Sequence, residues 1–129
     1  MSDCIFCKIV KGEIPSAKIY EDDKVFAFLD INPVNYGHTL VIPKEHHQMM
    51  QDVPDDLLAY CYVQAKKLMI KIKAGLEADY VSVSVVGLDV PHFHIHLIPR
   101  FYDDGLAGFW PTKKYGEGEM QQILSRLAE

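Results

Sequence analysis

The sequence is poor in cysteine, with three in 129 residues, and an odd count at Cys4, Cys7 and Cys61 does not form a disulfide framework. It also lacks any run of about 18 apolar residues that could cross a membrane as a helix. Residues 1–4 lack the basic and apolar regions of a signal peptide. We therefore expect a cytoplasmic protein with no membrane partner, in which Cys4 and Cys7 need an explanation other than a disulfide.

An excess of basic charge is absent as well. The formal net charge is −5, whereas binding to nucleic acid or an anionic membrane draws on clustered Lys and Arg. An anionic small ligand would have to meet local positive charge, for which the candidates are the histidines, Lys44, Arg100 and the pair Lys113 and Lys114. No internal repeat or low-complexity linker occurs, and we expect residues 1–129 to form a single domain.

What the sequence does contain is three histidines at alternate positions, in Pro91-His92-Phe93-His94-Ile95-His96-Leu97-Ile98-Pro99-Arg100. Successive side chains of a strand point to opposite faces, so a strand would bring His92, His94 and His96 to one surface. The β-branched and aromatic spacers and the flanking prolines favour a strand over a helix. Three imidazoles on one surface are an unusual way to complete a core, because each has two nitrogens that need partners.

Three interpretations of this strand follow from the residues alone. The least favoured is an exposed edge strand with solvated histidines. The second is a catalytic metal site, because His-x-His with a third histidine suits zinc. The third is attack on phosphorus by one neutral imidazole while the other two hold negative oxygens. Local chemistry does not separate the last two.

The remaining pattern predicts an α+β domain built on an antiparallel sheet. Apolar residues recur at spacings of three and four from Pro54 to Ala78, which predicts one long amphipathic helix with Pro54 in its first turn. Five short strands without βαβ alternation indicate an antiparallel sheet. Besides the histidine strand, the expected strands are 18–20, 25–29, 39–42 and 80–86, and the two shorter helices are 5–10 and 119–128.

The spacing His-φ-His-φ-His-φ-φ, where φ is apolar, spans residues 92–98 and resembles the signature of the histidine triad (HIT) superfamily. The chain is most similar to the bacterial-type histidine triad nucleotide-binding (Hint) branch, over nearly its whole length up to Arg100. Four further segments follow in the family's order: Cys4-Ile-Phe-Cys-Lys-Ile-Val, Glu13-Ile-Pro-Ser-Ala-Lys-Ile-Tyr-Glu-Asp, Ala27-Phe-Leu-Asp-Ile-Asn-Pro and Gly37-His-Thr-Leu-Val-Ile-Pro-Lys-Glu-His.

The resemblance implies a five-stranded antiparallel sheet with one long helix, paired as a two-fold homodimer with a continuous ten-stranded sheet. It implies a nucleotide hydrolase or transferase that cleaves purine nucleoside phosphoramidates or related nucleotidyl compounds, with an AMP- or GMP-like nucleotide as ligand. The alternatives are a nucleotide-binding regulatory protein with weak catalysis and a metallohydrolase that uses all three triad histidines as ligands.

By the same resemblance, His94 attacks the α-phosphorus to form a nucleotidyl-histidine, and a backbone carbonyl accepts from its other ring nitrogen. An imidazole with a pKa of about 6.5 is substantially neutral at pH 7 and is a fair nucleophile. His96 is expected to bond phosphate oxygens or the leaving group, and His92 completes the triad. His38 matches a fourth histidine beside it, although a single histidine there is more often structural.

The resemblance also names substrate contacts. Asp30 matches a ribose-binding acid, and Trp110 is expected to reach the site of the other protomer. Leu88 and Asp89 depart from the family, which commonly has Gln and a hydroxyl residue there; losing such donors costs about 10² to 10³ in rate when they serve the transition state. Asp89 would either donate a proton to a leaving amine or repel phosphate. The matches to the apolar base pocket, for which ordinary core is the alternative, are Ile5, Phe6 and Phe28.

The spacing Cys4-x-x-Cys7, with His46 or His47 and one triad histidine, has the composition of a Cys₂His₂ zinc site. On its own the pair is a weak signal, and two small residues in a buried turn are the alternative. The resemblance implies one structural zinc per protomer, held by Cys4, Cys7, His46 and His92. His92 would then be unable to attack phosphorus.

Overall fold

The computed structural model describes residues 3–106 and 110–128, and it confirms the predicted α+β class. Its five strands form one sheet in the order β1-β2-β3-β5-β4, with every neighbouring pair antiparallel. The strands are β1 Lys18–Glu21, β2 Val25–Leu29, β3 Thr39–Pro43, β4 Tyr80–Ser84 and β5 Ile95–Arg100. The helices are α1 Ile5–Val10, α2 Asp55–Leu76 and α3 Glu119–Leu127, and a 3₁₀ turn covers Met50–Asp52.

Helix α2 covers one face of the sheet with the apolar stripe that its sequence predicts. Pro54 is the N-cap of α2, one position outside the first turn where we predicted it, and the acidic residues Asp55 and Asp56 follow in that turn. Their charges suit the positive end of the helix dipole. The buried residues that join α2 to this face are Cys61, Ala65, Leu68 and Ile72 from the helix and Val25, Ala27, Val41, Phe93, Ile95 and Leu97 from the sheet side.

Helix α1 covers the opposite face. Side chains alternate along a strand, so Phe26 and Phe28 of β2 point away from α2. They pack with Phe6 and Ile9 of α1 in a second buried cluster. Because Ile95 and Leu97 face α2, His96 between them lies on the α1 face. The candidate site therefore lies on the side of the sheet that carries the short helix.

The predicted histidine strand is wrong at its beginning, because β5 begins at Ile95 and only His96 of the triad lies in the ladder. The register pairs Val41 with Ile95, so two residues further along Pro43 would lie opposite Phe93. A proline has no N–H to donate, and the Pro43 carbonyl oxygen instead lies 2.8 Å from His92 Nε2. The ladder therefore ends, although Phe93 and Ile95 still share the α2 face.

Smaller differences concern the ends of other elements. Strand β4 ends at Ser84, two residues before the predicted end, and β1 and β3 each extend one residue further, to Glu21 and Pro43. Helices α2 and α3 end at Leu76 and Leu127, two residues and one residue before their predicted ends. Within the described residues, no helix is long and apolar enough to cross a membrane.

Candidate active site and metal centre

His94 is held in one orientation by the backbone before β5. Its Nδ1 atom lies 2.7 Å from the carbonyl oxygen of His92, and its side chain is 1% exposed. A carbonyl oxygen only accepts hydrogen bonds, so Nδ1 carries the hydrogen and the neutral ring has its lone pair on Nε2. The backbone carbonyl that the resemblance led us to expect is therefore present in the structure.

A chain of hydrogen bonds orients His96. The N–H of Val34 donates to His38 Nδ1 over 3.1 Å, which leaves the hydrogen of a neutral His38 on Nε2. That Nε2 lies 3.0 Å from His96 Nδ1, so His96 accepts there and carries its own hydrogen on Nε2. The Nε2 atoms of His94 and His96 are both buried and have no hydrogen-bond partner among the described residues. The site thus holds one acceptor nitrogen beside one donor nitrogen.

Burial favours the neutral forms of His38 and His96, the two histidines in this chain of hydrogen bonds. It lowers the pKa of His38, although the Asp30 carboxylate opposes the shift. It also lowers the pKa of His96, and the neighbouring His94 ring lowers it further. The rings of His94 and His96 lie 4.8 Å apart between centroids. Neutral rings are the forms that the hydrogen-bond chain requires.

The predicted substrate residues lie around these rings with different exposures. Asp30 Oδ2 lies 3.7 Å from His38 Nε2, and Asp30 Oδ1 accepts from the N–H of Asn32. Phe6 is buried with its ring edge-on to His94, at 5.1 Å between centroids, and to Phe28, at 5.4 Å. Ile5 is 51% exposed. Phe6 and Phe28 are thus core residues as well as a wall of the site, whereas Ile5 is free to contact a ligand.

The departure at Leu88 and Asp89 places a carboxylate beside the triad. Leu88 is 84% exposed, whereas Asp89 Oδ1 lies 3.3 Å from His94 Nε2. Burial would raise the pKa of Asp89, but the His94 ring and backbone hydrogen bonds outweigh it and hold that pKa below its usual value. Asp89 is therefore an anion, with Oδ1 3.3 Å from His94 Nε2.

Four candidate metal ligands converge at the start of α1. The Sγ atom of Cys4 lies 3.3 Å from His92 Nδ1, and the Sγ atom of Cys7 lies 3.3 Å from His46 Nδ1 and 3.5 Å from His92 Nδ1. The two Nδ1 atoms are 3.2 Å apart. Tetrahedral zinc with ordinary bond lengths separates sulfur and nitrogen ligands by about 3.5 Å and two nitrogens by about 3.3 Å. The four atoms therefore fit one zinc ion.

The surroundings of this cluster also suit metal binding. His92 Nε2 donates to the Pro43 carbonyl, which leaves Nδ1 as the free acceptor and fixes the ring as second-shell bonds do for ligating histidines. Burial lowers the pKa of His92 to about 4, so its ring is neutral. His47 lies outside the cluster, with Nε2 2.6 Å from a Glu45 oxygen. Of the two histidines that the spacing left open, only His46 joins the cysteines.

A catalytic metal held by all three triad histidines is excluded by this arrangement. Both ring nitrogens of His92 are engaged by the cysteine cluster and by Pro43, so His92 does not face His94 and His96. Two other groups bring possible ligands within 4.8 Å, one containing Asp30, His38 and His96 and one containing Asp89, His94 and His96. The hydrogen bond between His38 and His96 accounts for the first of these groups without a metal, and the second contains the contact of Asp89 with His94 Nε2.

Some expected residues lie away from the site. Trp110 is 85% exposed on the described chain. Lys44 is paired with Glu21 and Arg100 with Asp104, so these two cations already have anionic partners. The surface cavity lined by Lys113 and Lys114 lies against α3. The sequence did not reveal the backbone groups that orient the rings, because every residue type except proline has the backbone N–H that Val34 supplies.

Most of the chain is similar to proteins of one known family. The HIT domain profile matches residues 11–103. An uncharacterized HIT-like protein of Methanocaldococcus jannaschii is 45% identical, with 96% of this chain and 98% of that protein covered. The adenosine 5'-monophosphoramidase of Saccharomyces cerevisiae is 41% identical (96% and 80% covered), and the adenylylsulfatase of Arabidopsis thaliana is 36% identical (96% and 67%).

Solved structures agree with these sequence relatives. A crystal structure of a HIT family member from Bacillus subtilis superposes with a TM-score of 0.86 at 40% identity, covering 98% of this chain and 95% of that chain. A zinc-bound histidine triad family protein from Mycobacterium smegmatis gives a TM-score of 0.79 at 31% identity, covering 98% and 96%. The likeness therefore extends over the sheet, the helices and the segments that carry the histidines.

Proposed function

The chain belongs to the HIT domain family, and from this premise we propose that it is a nucleotide hydrolase that acts through a nucleotidyl intermediate on His94. The observation that carries the proposal is the pair of buried Nε2 atoms, a lone pair on His94 beside an N–H on His96. The proposed substrates are purine nucleoside phosphoramidates or related nucleotidyl compounds. The names of the yeast and plant relatives, a monophosphoramidase and an adenylylsulfatase, support an adenylyl substrate.

In the first step, His94 Nε2 forms a bond to the α-phosphorus while the bond from phosphorus to the leaving nitrogen breaks, and that nitrogen takes a proton from solvent and leaves as the amine. The positive charge that develops on the imidazole is stabilised by the His92 carbonyl at Nδ1. The N–H of His96 donates to an oxygen of the phosphoryl group, on which negative charge accumulates. Water then attacks the same phosphorus and gives up a proton to solvent, the bond to His94 breaks with its electron pair returning to Nε2, and the nucleoside monophosphate leaves.

Nucleotide binding is proposed to use the residues around the histidines. Asp30 accepts hydrogen bonds from the ribose hydroxyls, for which its partly exposed carboxylate is free beyond its contacts with Asn32 and His38. The purine base packs against Ile5, Phe6 and Phe28. This assignment gives the polar and apolar parts of the nucleotide one continuous surface on the α1 side of the sheet.

We further propose that Cys4, Cys7, His46 and His92 hold one structural zinc ion per protomer. The ion, when bound, supplies a closed crosslink between α1, the loop after β3 and the segment before β5. The zinc-bound Mycobacterium smegmatis relative supports the proposal. Because the His92 carbonyl orients His94, holding His92 in place also holds the nucleophile.

The assembly is proposed to be a cytoplasmic homodimer of single-domain protomers with a continuous ten-stranded sheet. Strand β4 is at one edge of the sheet, and Tyr80 and Val83 on it are partly exposed, as is Ile70 of the neighbouring α2. Trp110 would reach the site of the other protomer. Light scattering after size-exclusion chromatography tests the dimer, and a monomer at micromolar concentration would refute it.

The experiment that tests the function is hydrolysis of adenosine 5'-phosphoramidate by the purified protein and by the His94→Ala variant. We expect release of AMP by the wild type and a loss of at least about 10³-fold in the variant, because no other ring nitrogen replaces the nucleophile. A nucleotide-binding regulator, suggested by the missing Gln and hydroxyl at Leu88 and Asp89, would bind AMP with no turnover. His47→Ala is the matched control, since the His47 side chain contacts Glu45 outside the site and the substitution keeps the backbone carbonyl that accepts from the N–H of Phe93.

A further inference from the structure

The nucleophilic nitrogen is bordered by an anion. Asp89 Oδ1 lies 3.3 Å from His94 Nε2, which is buried and has no hydrogen-bond partner among the described residues. A substrate phosphoryl group that reaches this nitrogen has to come alongside the Asp89 carboxylate. That carboxylate is 59% exposed at the rim of the site, so it is free to follow the substrate.

The charges on the other sides of the histidines do not neutralise Asp89. Asp30 contributes a second carboxylate 3.7 Å from His38, and the imidazoles of His38 and His96 are neutral by burial. Lys44, directly after β3, is paired with Glu21, and Arg100, at the end of β5, is paired with Asp104. Among the described contacts, the electrostatic field at the phosphoryl group is therefore dominated by carboxylates.

We propose that Asp89 selects the leaving group, so that the site accepts one with N–H donors or a positive charge, such as ammonia or a primary amine, and rejects anionic sulfate, phosphate or pyrophosphate. This inference rests on the proposed function. An amine leaves as an N–H donor that Asp89 stabilises, whereas an anion leaves against the same charge. Repulsion of the α-phosphate by Asp89 is common to all nucleotidyl substrates and cancels when two leaving groups are compared.

The size of the discrimination follows from Coulomb's law. A carboxylate and a unit charge about 6 Å apart, at an effective dielectric constant of about 20, interact strongly enough to change a rate by roughly 100-fold. The solvent exposure of Asp89 and screening by salt reduce this interaction, so we expect Asp89 to change the ratio of the two rates by about 10- to 100-fold. The names of two relatives, a monophosphoramidase and an adenylylsulfatase, refer to substrates with an amine and a sulfate leaving group, respectively.

The experiment measures kcat/KM for adenosine 5'-phosphoramidate and adenosine 5'-phosphosulfate with the wild type, Asp89→Asn, Asp89→Glu and a control, Asp23→Asn. Asp23 is an exposed acid in the turn before β2, so its substitution makes the same change in net charge away from the site. We expect the wild type to prefer the phosphoramidate and the ratio of the two kcat/KM values to fall by at least tenfold in Asp89→Asn. Asp89→Glu, which restores the charge, should recover most of the ratio.

Two outcomes would overturn the inference: an unchanged ratio in Asp89→Asn, which includes an equal rise in both rates, or a wild type that prefers the phosphosulfate. A wild type that cleaves neither substrate while binding AMP would instead refute the proposed function. An equal fall of the ratio in Asp23→Asn would attribute the effect to net charge and would also refute a role for Asp89.

Discussion

His38 Nε2 lies 3.0 Å from His96 Nδ1, and this contact decides which nitrogen of His96 carries the hydrogen. The N–H of Val34 occupies the other nitrogen of His38, so the direction of donation runs from Val34 through His38 to His96. His38, which need not contact the substrate, therefore orients His96, the proposed donor to the substrate.

The His38→Ala substitution is expected to lower kcat on adenosine 5'-phosphoramidate by about 10- to 100-fold with little change in KM, because it removes an orienting contact and leaves the ribose and base contacts in place. The measurement is steady-state kinetics together with ¹⁵N NMR of the His96 ring. The ring of the wild type should show hydrogen on Nε2, and the variant should show a mixture of tautomers. Hydrogen on Nδ1 in the wild type would contradict the proposed chain.

Metal content tests the cysteine cluster. Protein purified without chelator should contain about one zinc per protomer, and Cys4→Ser or Cys7→Ser should lower this to a small fraction, because each removes one of four ligands. The control is Cys61→Ala, which changes the third cysteine, buried between α2 and the sheet and absent from the cluster. Equal zinc in the wild type and both serine variants would refute the assignment.

Asp22 gives a prediction about stability and pH. Burial would raise its pKa, but the hydroxyls of Tyr60 and Tyr20 and the N–H groups of Lys24 and Val25 lower it to about 2. The free carboxylate titrates at about 4, so this stabilisation is complete above pH of about 4 and is lost as pH falls toward 2. We expect Asp22→Asn to lower the free energy of unfolding by about 1–2 kcal/mol at pH 7.

The measurement for Asp22 is urea unfolding of the wild type and Asp22→Asn at pH 7 and near pH 2.5. The difference between the two proteins should shrink at the lower pH, since the wild-type carboxylate is then partly protonated. Asp23→Asn, the neighbouring acid with no hydrogen-bond partner among the described contacts, should match the wild type at both pH values. A difference that grows on acidification would contradict the account.

Helix α1 offers a pair of substitutions that separates binding from folding. Ile5→Ala should raise KM for an adenosine substrate by about 5- to 20-fold, the effect of removing one apolar contact with the base, while the free energy of unfolding changes little because Ile5 is half exposed. Phe6→Ala should lower the free energy of unfolding by about 3–5 kcal/mol, because Phe6 is buried. Equal KM values for Ile5→Ala and the wild type would remove Ile5 from the base pocket.

The sequence predicted those parts of the fold that depend on side-chain periodicity. The apolar repeat located α2 within two residues at its C-terminal end, and the alternation from Phe93 to Leu97 assigned the correct faces. It did not predict that β5 begins at Ile95. That boundary depends on Pro43 at the end of the neighbouring strand β3, because its missing N–H and its carbonyl bond to His92 end the ladder, and Pro43 is about 50 residues away in the sequence.

The candidate site was predictable to a similar extent. The motif identified the candidate catalytic histidines. The spacing of Cys4 and Cys7 predicted a metal cluster but did not decide whether His46 or His47 is a ligand. The structure resolves that choice in favour of His46, because His46 Nδ1 lies 3.3 Å from Cys7 Sγ. The orientation of Leu88 toward solvent and of Asp89 toward His94 depends on the loop backbone, which carries no periodic signal.

The most direct test of the account is a rapid-quench experiment with adenosine 5'-phosphoramidate labelled at phosphorus. An acid quench is unsuitable because acid hydrolyses the phosphorus–nitrogen bond between the adenylyl group and histidine. The quench is therefore alkaline, and the digested peptides are analysed by mass spectrometry. We predict an adenylyl group on the peptide that contains residues 92–98, attached to His94 and absent in His94→Ala. Turnover of the substrate with no label on His94 at any time would contradict the central claim.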